Sequence, residues 1–351
     1  MTTESFSAVL FLSFGGPERA DEVTPFLENV TRGRGVPRER LDEVAEHYYH
    51  FGGASPINAL NRAMIEALRR GLQARGRDMP VYFGNRNWDP YVEDVLVQMY
   101  RDGHRQILVL ATSAWGGYSG CKQYHEDIGR AIAALSEREP AAKTDPVLLR
   151  KLPQFCSETA FLDAEADAVR RAAASLPGAD APARLVFTAH SIPTSADEAV
   201  GGGLYSRQVA EASTAVARRL AADGIVAGTQ IGRDFDQVWQ SRSGPPQVPW
   251  LEPDIADHLT ALAERGEQQV VVAPIGFISD HLEVIWDLDN ELAELAADLG
   301  LGYARADTVG TDPRFTDLLA DLVDRYADGG GDLDAPGCGD NGAGCRSGCC
   351  G

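Results

Sequence analysis

The stretch QVVVAPIGFISDHLEVIWDLDNEL, residues 269–292, places a buried strand directly before an acidic helix. Its apolar run Val270–Ala273 is of the β-branched kind that fills a parallel sheet covered on both faces. Pro274 ends the strand, and Ser279 or Asp280 can then cap a helix. The segment therefore predicts an open parallel α/β sheet, in which ligands bind outside the carboxyl ends of the strands.

Three carboxylates, those of Glu283, Asp287 and Glu291, recur at a spacing of four along the predicted helix. At this spacing they lie along one helix face, where like charges repel one another. A solvated face is one interpretation of the pattern. The start of the helix at the carboxyl end of a strand favours a second interpretation, in which the carboxylates take part in ligand binding.

The composition limits the class of protein. The chain has 351 residues, of which 44% are hydrophobic, and a chain of this length predicts two domains. Its 32 Lys and Arg residues stand against 52 Asp and Glu residues, so the formal net charge is -20. Such a charge repels phosphate backbones, which disfavours nucleic acid as a partner and favours a metal cation.

The N-terminal segment MTTESFSAVLFLSFGGP has no basic region, and its apolar run 8–12 is too short for a signal peptide or a membrane span. We therefore expect a cytoplasmic protein without stable membrane insertion. The sequence has no obvious apolar patch, and for this reason we expect a monomer.

The cysteines are concentrated at the C-terminus. Four of the six lie in a Gly-rich tail with almost no apolar side chains: Cys338, Cys345, Cys349 and Cys350. A disordered tail is one interpretation. Because the cytosol disfavours disulfides, the alternative is thiolate ligation of zinc or of an iron–sulfur cluster, which would itself order the tail.

An internal repeat organises the rest of the chain. The segment 10–17, LFLSFGGP, aligns with the segment 186–193, VFTAHSIP, and a second pair of segments beginning at Arg101 and Glu264 aligns in the same order. Each matched segment contains a buried strand. We therefore predict two Rossmann-like domains with parallel sheets. The predicted boundaries are 1–150 for the first domain, 151–328 for the second, whose last helix can pack back on the first, and 329–351 for the Cys-rich tail.

The repeat places Phe14 and His190 at equivalent strand ends, from which they could approach one ligand from opposite sides. His190 precedes Ser191 and Pro193 in a strand-end loop, where chemistry is often located. With an unperturbed pKa of about 6.5, an imidazole exchanges protons at cellular pH. A structural histidine is the alternative. His190 and Glu283 follow two strands of the second domain, and we predict that they form the catalytic pair.

Five strings between about residue 8 and residue 292 resemble the ferrochelatase family: LFLSFGGP, FGGASPINALN, TAHSIP, QSRSGPPQVPWLEPD and PIGFISDHLEVIWDLD. The resemblance implies a porphyrin cleft between two Rossmann-like domains and the insertion of ferrous iron into the porphyrin, a step of haem biosynthesis. It also implies that His190 and Glu283 are the inner residues of the metal site. Asp287 and Glu291 would then form a path for protons or hydrated metal.

The resemblance also implies a set of porphyrin contacts: Phe14, Gly52, Gly53, Ser55, Tyr124 and Arg242. A turn for the glycines, packing for the tyrosine and an ion pair for the arginine are the structural alternatives. Phe14 stands where many bacterial relatives that act on coproporphyrin carry a tyrosine that can ligate iron. An apolar ring cannot ligate, so the metal face opposite His190 is expected to be open or filled with water.

The resemblance leaves two porphyrins open, coproporphyrin III and protoporphyrin IX. Membrane-bound enzymes that act on protoporphyrin have a long apolar lip before the GG-x-SP motif, whereas the segment 28–53 of this chain is polar. It contains four arginines, which suit either a solvated loop or pairing with propionates: Arg32, Arg34, Arg38 and Arg40. The polar lip favours coproporphyrin III, which has four carboxylates.

Two other classes remain as alternatives. A cobalt chelatase for sirohydrochlorin would share the fold, but such relatives lack the QSR-x-GP and SDHLE strings that this chain contains. A non-catalytic haem-binding or metal-carrier protein would keep the cleft without needing the acidic row.

The resemblance extends to the cysteines. Several ferrochelatases bind a two-iron two-sulfur (2Fe-2S) cluster through one internal cysteine and three near the C-terminus. Cys156 matches the internal position, and Cys338 and Cys345 keep the spacing of the first two tail ligands. Cys350 or Cys349 would be the third.

Overall fold

The computed structural model describes residues 5–33, 35–177, 183–244, 247–345 and 348. The strands are β1 (Ala8–Ser13), β2 (Val81–Asn85), β3 (Gln106–Ala111), β4 (Leu148–Lys151), β5 (Arg184–His190), β6 (Asp236–Gln240), β7 (Gln269–Ala273), β8 (Gly302–Arg305) and β9 (Gly339–Asp340). They form two sheets, and the fold class predicted from the sequence is thereby confirmed.

Twelve α-helices accompany these strands in the described part of the chain. They are α1 (Val23–Val30), α2 (Arg38–His50), α3 (Ile57–Ala74), α4 (Val92–Arg101), α5 (Gln123–Arg138), α6 (Thr159–Ser175), α7 (Thr194–Glu198), α8 (Leu204–Ala221), α9 (Ile255–Glu264), α10 (Leu282–Ile285), α11 (Leu292–Asp298) and α12 (Pro313–Ala327). Short 3₁₀ turns occupy Ala20–Glu22 and Pro140–Lys143, and π-helical turns occupy Tyr118–Lys122 and Trp286–Glu291. None of the described helices is both long and apolar enough to span a membrane.

The two sheets repeat one strand order. The first runs β2-β1-β3-β4-β9 and the second β6-β5-β7-β8. Both are parallel except for β9, which pairs antiparallel with β4. The segments aligned in the sequence occupy equivalent places, since β1 and β5 are the second strands and β3 and β7 the third. β1 and β7 are buried along almost their whole length, as expected for central strands that are covered on both faces.

The last helix, α12, packs against α3 beside the first sheet. A methyl group added at Gly71 of α3 would lie 2.7 Å from the Ala320 side chain, so glycine allows the close approach of the two helices. Arg75, the residue after α3, donates to Asp317 of α12 at 2.8 Å. The tail beyond α12 then returns to the first sheet through β9.

Candidate active site

His190 and Glu283 lie together at the carboxyl ends of two adjacent strands. His190 is the last residue of β5, and Glu283 lies on α10, which follows β7. Nε2 of His190 is 3.8 Å from Oε1 of Glu283. The two side chains keep 35% and 46% of their surface exposed, so a ligand can reach both. The structure thus brings the predicted catalytic pair together, while the catalytic roles stay a prediction.

The imidazole of His190 has a fixed orientation. Its Nδ1 makes a short hydrogen bond with the Ser191 carbonyl, and since a carbonyl can only accept, Nδ1 carries the proton. Nε2 therefore faces Glu283. Burial lowers the pKa of His190, but the neighbouring Glu283 carboxylate, together with the Ser191 carbonyl, outweighs this effect, and the net pKa is raised.

Glu283 shows the complementary change. Burial raises the pKa of its carboxyl group, but the neighbouring His190 lowers it, and His281 and His47 add to that effect. The net pKa of Glu283 is lowered. The pair therefore favours an ionised carboxylate beside an imidazole that readily accepts a proton.

Asp287 is held away from open solvent. Burial, and then the charge of Glu283, raise the pKa of Asp287 to about 7. Its Oδ2 accepts a hydrogen bond from Nε2 of Gln240 at 3.1 Å and a short one from the Ser241 hydroxyl. The solvated-face interpretation does not hold for Asp287, whereas Glu291 is exposed.

The acidic segment differs from the continuous α-helix predicted from its sequence. One α-helical turn, α10, passes into a π-helical turn at Trp286–Glu291, which we call the acidic π-helix. The predicted caps are wrong. The helix starts after His281 without a side-chain cap, and the Asp280 carboxylate pairs instead with Arg305. Ser279 is buried, with no hydrogen-bond partner for its hydroxyl among the described residues.

Aromatic side chains from α2 and the residue after it cover the acidic π-helix. The His47 ring stacks on the Trp286 ring, with 3.9 Å between centroids and 6° between planes. His50 and Phe51 contact the same indole edge-on at 5.6 Å and 6.3 Å. Burial lowers the pKa of His47, against the charge of Glu291. Sequence reasoning missed this contact, because nothing in the local pattern joins segments so far apart.

Phe14 follows β1 and is 40% exposed. The Phe26 ring lies edge-on at 6.5 Å, and the Arg86 guanidinium is 5.8 Å from the Phe14 centroid. Arg86 also covers the Tyr124 ring at 4.9 Å and forms a buried ion pair with Asp127. A buried cation beneath Phe14 was not predicted, since isolated arginines and aspartates carry no sequence signal.

The glycines and the serine of the first predicted porphyrin loop have structural roles. Gly52 and Gly53 both have φ of 81°. A methyl group at Gly53 would lie 2.4 Å from the backbone of Ala20, so no larger residue fits there. Ser55 is buried, and its backbone N–H donates to the Pro17 carbonyl at 2.8 Å.

The other predicted porphyrin contacts lie in similar settings. Tyr124 is buried, with its hydroxyl 3.5 Å from Thr112. Arg242 lies 3.8 Å from the exposed Glu252 carboxylate. Contact of these residues with a porphyrin stays a prediction.

The arginines of the polar lip do not all lie in a loop. Arg38 and Arg40 belong to α2, where Arg38 pairs with Glu28 and Asp42, and Arg40 pairs with Glu43. Arg32 lies in the turn after α1. Arg34 lies outside the described residues.

The Cys-rich tail packs against the first sheet as far as Cys345. The interpretation of the tail as disordered therefore does not hold for this part. Arg150 of β4 binds both carboxylate oxygens of Asp340, at 2.7 and 2.9 Å. Lys151 Nζ donates to the Gly337 carbonyl at 3.0 Å, and His125 Nε2 lies 3.2 Å from the same oxygen.

The predicted cluster cysteines are only partly described. Cys156 and Cys338 are buried in one apolar cluster, and burial raises the pKa of their thiols to about 12 and about 11. Cys345 lines a cavity of about 230 Å³. Cys349 and Cys350 lie outside the described residues. Within the described ranges, no group of three His, Cys, Asp or Glu side chains is placed to hold a metal ion.

Known proteins resemble this chain along most of its length. The family model of ferrochelatase matches residues 7–327. A coproporphyrin III ferrochelatase of Nocardia farcinica is 57% identical over 354 residues, which cover 98% of this chain and 96% of that protein. Another, from Mycolicibacterium smegmatis, is 54% identical over 354 residues, covering 98% and 99%.

Solved structures include proteins with a similar fold. SirB from Bacillus subtilis with Fe3+ aligns with a TM-score of 0.52 at 12% identity, over 92% of this chain and 96% of that one. At this identity the likeness concerns the architecture of the chain and not its substrate.

Proposed function

Because this chain belongs to the ferrochelatase family, the metal–porphyrin chelatases, we propose that it inserts ferrous iron into coproporphyrin III to give coprohaem in haem biosynthesis. The names of the similar proteins support this porphyrin. The observation that carries the proposal is the approach of His190 Nε2 to Glu283 at 3.8 Å, on a surface that a ligand can reach.

Metalation releases two pyrrole protons as the dication enters, so the site needs bases on the side of the entering metal. His190 presents the unprotonated Nε2 of its neutral form, and this atom can accept a proton or hold the iron. Glu283 stays ionised and stabilises the imidazolium that proton transfer creates. His190 thus accepts the proton or binds the iron, and Glu283 stabilises the positive charge on the histidine.

Asp287 and Glu291 extend the site toward solvent. A carboxyl group with a pKa of about 7 exchanges its proton readily at neutral pH, so Asp287 can relay protons released at the porphyrin. Glu291 is exposed and can pass them to water. We propose that this row carries protons outward, or hydrated iron inward.

Protoporphyrin IX is the alternative substrate. The exposed, ion-paired arginines of α2 favour a polar rim rather than an apolar lip. A porphyrin with four carboxylates fits such a rim better than one with two. Phe14 would leave the metal face opposite His190 without a protein ligand.

One assay tests the activity. Ferrous iron is mixed anaerobically with coproporphyrin III or with protoporphyrin IX, and metalation is followed by absorbance. We expect faster turnover of coproporphyrin III, and loss of turnover in His190→Ala and Glu283→Ala. His104→Ala, a histidine at the opposite end of the first sheet that contacts Ser7, is the matched control. Wild-type rates no higher than those of the double variant on both porphyrins would refute the enzyme hypothesis.

We also propose a 2Fe-2S cluster held by Cys156, Cys338, Cys345 and Cys350 or Cys349. The chemistry around Cys338 fits such a group. Lys151 is 1% exposed and contacts only carbonyl oxygens, with no carboxylate within ion-pair distance in the described ranges. A thiolate-ligated cluster is anionic and would offset this buried cation.

When bound, the cluster would supply a one-electron redox centre and a cross-link between the tail and the first sheet. The absorbance of the purified protein and its content of iron, acid-labile sulfide and zinc test this assignment. A colourless protein that contains zinc and no sulfide would exclude the iron–sulfur cluster and favour a zinc site.

We further propose that the protein acts as a monomer in the cytosol. A net charge of -20 disfavours self-association at neutral pH, which supports this state. Light scattering of the purified chain at several concentrations measures it, and a mass twice that of the chain would contradict it.

A further inference from the structure

Two side chains of β8, Tyr303 and Arg305, contact the acidic π-helix from the same face of the strand. They are two residues apart, and alternate residues of a strand point to one side. β8 is the edge strand of the second sheet, next to β7, from whose end the acidic segment departs. The reaction derived above uses neither residue.

Arg305 bridges two carboxylates that flank the reacting residues. Its guanidinium donates to Asp280 at 3.1 and 3.3 Å and to Asp289 at 2.6 and 2.8 Å. Glu283 and Asp287 both lie between these two aspartates in the chain. Only 14% of the Arg305 side chain is exposed, and its two hydrogen bonds to Asp280 are partly buried, whereas those to Asp289 face solvent. One planar cation therefore fixes both ends of the segment that carries the reacting carboxylates.

Tyr303 binds the middle of the same segment. Its hydroxyl donates to the Leu288 carbonyl at 2.9 Å, inside the acidic π-helix. A π-helical turn is rare and departs from the regular α-helical ladder, so it persists where outside contacts support it. The Tyr303 hydroxyl provides such a contact to the backbone itself.

The π turn has a direct effect on the carboxylates. Relaxation to an α-helix would remove one residue from the widened turn and rotate everything beyond it by about 100° relative to α10. Asp287 lies inside this turn, so its hydrogen bonds with Gln240 and Ser241 depend on the π-helical geometry. The spacing of the acidic row therefore depends on the helix type and not on the sequence alone.

We propose that Arg305 and Tyr303 are positioning residues that hold the acidic segment in its π register. The Arg305–Asp280 contact keeps Glu283 beside His190, and the π register carries Asp287 to the end of β6. Tyr303 and Arg305 form their hydrogen bonds with Leu288, Asp289 and Asp280 and not with His190, Glu283 or Asp287, so each acts through the segment that it binds. For its kinetic part this inference rests on the proposed function.

The test compares graded variants at β8 by iron-insertion kinetics and by amide hydrogen exchange. Arg305→Gln should lower kcat by about tenfold or more, because displacement of a reacting group by about 1 Å is enough for such a loss. KM for the porphyrin should stay within about twofold, since the lost interaction acts on the chemical step. Arg305→Lys should give intermediate kcat, because it keeps the charge without the planar fork. Tyr303→Phe should lower kcat by about three- to fivefold.

Hydrogen exchange gives a readout that does not need activity. We expect residues 282–298 to exchange faster in each β8 variant, with Arg305→Gln the fastest. Should Arg305→Gln fail to fold, Arg305→Lys and Tyr303→Phe carry the same comparison. A wild-type protein that metalates neither porphyrin would overturn the proposed function, and the exchange data would still decide the positioning role.

Arg184 supplies the matched control. It forms a bidentate pair with Asp236 at 2.7 and 2.6 Å, and its side chain is 15% exposed, but it lies at the opposite end of the same sheet. Arg184→Gln should destabilise the protein to a similar degree without changing kcat. Equal losses of kcat in Arg184→Gln and Arg305→Gln, or unchanged exchange of 282–298 in Arg305→Gln, would overturn the inference.

Discussion

The Ser241 hydroxyl donates a hydrogen bond to the Asp287 carboxylate and so joins the residue after β6 to the acidic π-helix. Ser241 adopts φ of 61°, in the left-handed region that few residues other than glycine favour. Gln240 supplies the second hydrogen bond, and its own amide oxygen accepts one from Thr188 at 3.1 Å. The end of β6 is thus built to hold one carboxylate of the acidic row.

Removal of the Ser241 hydroxyl should raise the pKa of Asp287. Burial raises this pKa to about 7, and the hydrogen bonds from Ser241 and Gln240 oppose that rise. Ser241→Gly relieves the backbone while deleting one donor, so the pKa of Asp287 should increase by about half a unit or more. If ionised Asp287 relays protons, the acidic limb of the pH–rate profile moves to higher pH. Asp287→Asn should abolish that limb, and a Ser241→Gly profile identical to wild type would contradict the relay.

Neutralising Glu283 should lower the pKa of His190. The neighbouring Glu283 carboxylate raises that pKa against the effect of burial, so Glu283→Gln leaves burial dominant. The His190 imidazole should then titrate below its usual range, as measured by NMR of the ring. Glu291→Gln, on the exposed end of the same segment, is the control and should leave His190 unchanged. An unaltered titration in Glu283→Gln would mean that the two groups are not coupled in solution.

The sequence was sufficient for features that depend on local pattern and on the repeat. The apolar runs of β5 and β7 predicted where these two strands end. Because the strands are adjacent and parallel, their ends bring His190 close to Glu283. The two sheets follow from the same repeat, because equivalent strands occupy equivalent positions. These inferences needed only hydrophobic periodicity and strand-end geometry.

Other features depend on contacts between distant segments. The π turn is supported by Tyr303 and Arg305, which lie beyond the helix in the chain, so its local sequence reads as an ordinary α-helix. The stacking of His47 on Trp286 joins the two halves of the chain. The docking of the tail depends on Arg150 and Asp340 meeting across β4 and β9. Such contacts between distant segments cannot be predicted from composition or from local spacing.

A tyrosine at position 14 should change how the product is held. Phe14 is 40% exposed, so a phenolic hydroxyl added to this ring would be accessible to a ligand. Phe14→Tyr should therefore let the phenolic oxygen ligate iron opposite His190 and slow release of the metalated porphyrin by about tenfold. Absorbance and EPR spectra of the product complex report the new ligand. Phe26→Tyr, which changes the ring next to Phe14, is the control. Identical spectra for wild type and Phe14→Tyr would show that position 14 does not face the metal.

Cys156 should be required for the proposed cluster, whereas Cys121 should not. Both are buried, but Cys156 shares an apolar cluster with Cys338, while Cys121 packs with Val200 in a separate one. Cys156→Ser should remove the visible absorbance of the cluster together with its iron and sulfide. Cys121→Ser should retain them. Equal iron and sulfide contents in the two variants would show that Cys156 is not a ligand.

Glu165 should make the stability of the protein depend on pH. This side chain on α6 is 1% exposed, its Oε1 has no hydrogen-bond partner among the described residues, and burial raises its pKa to about 8. In the unfolded chain a glutamate has a pKa of about 4.3. The native state thus keeps a proton that the unfolded chain loses, and the resulting stability is present below about pH 4 and is lost as the pH rises toward 8.

Glu165→Gln cannot ionise and should remove this dependence. The difference in unfolding free energy between the variant and wild type, measured by urea denaturation, should grow in favour of the variant by on the order of 1 kcal/mol per pH unit between about pH 5 and 8. Glu137→Gln, on the exposed face of α5, is the control and should show no such slope. A difference that stays constant with pH would mean that Glu165 is already ionised in the folded protein, which would require water or a cation to reach it through α6.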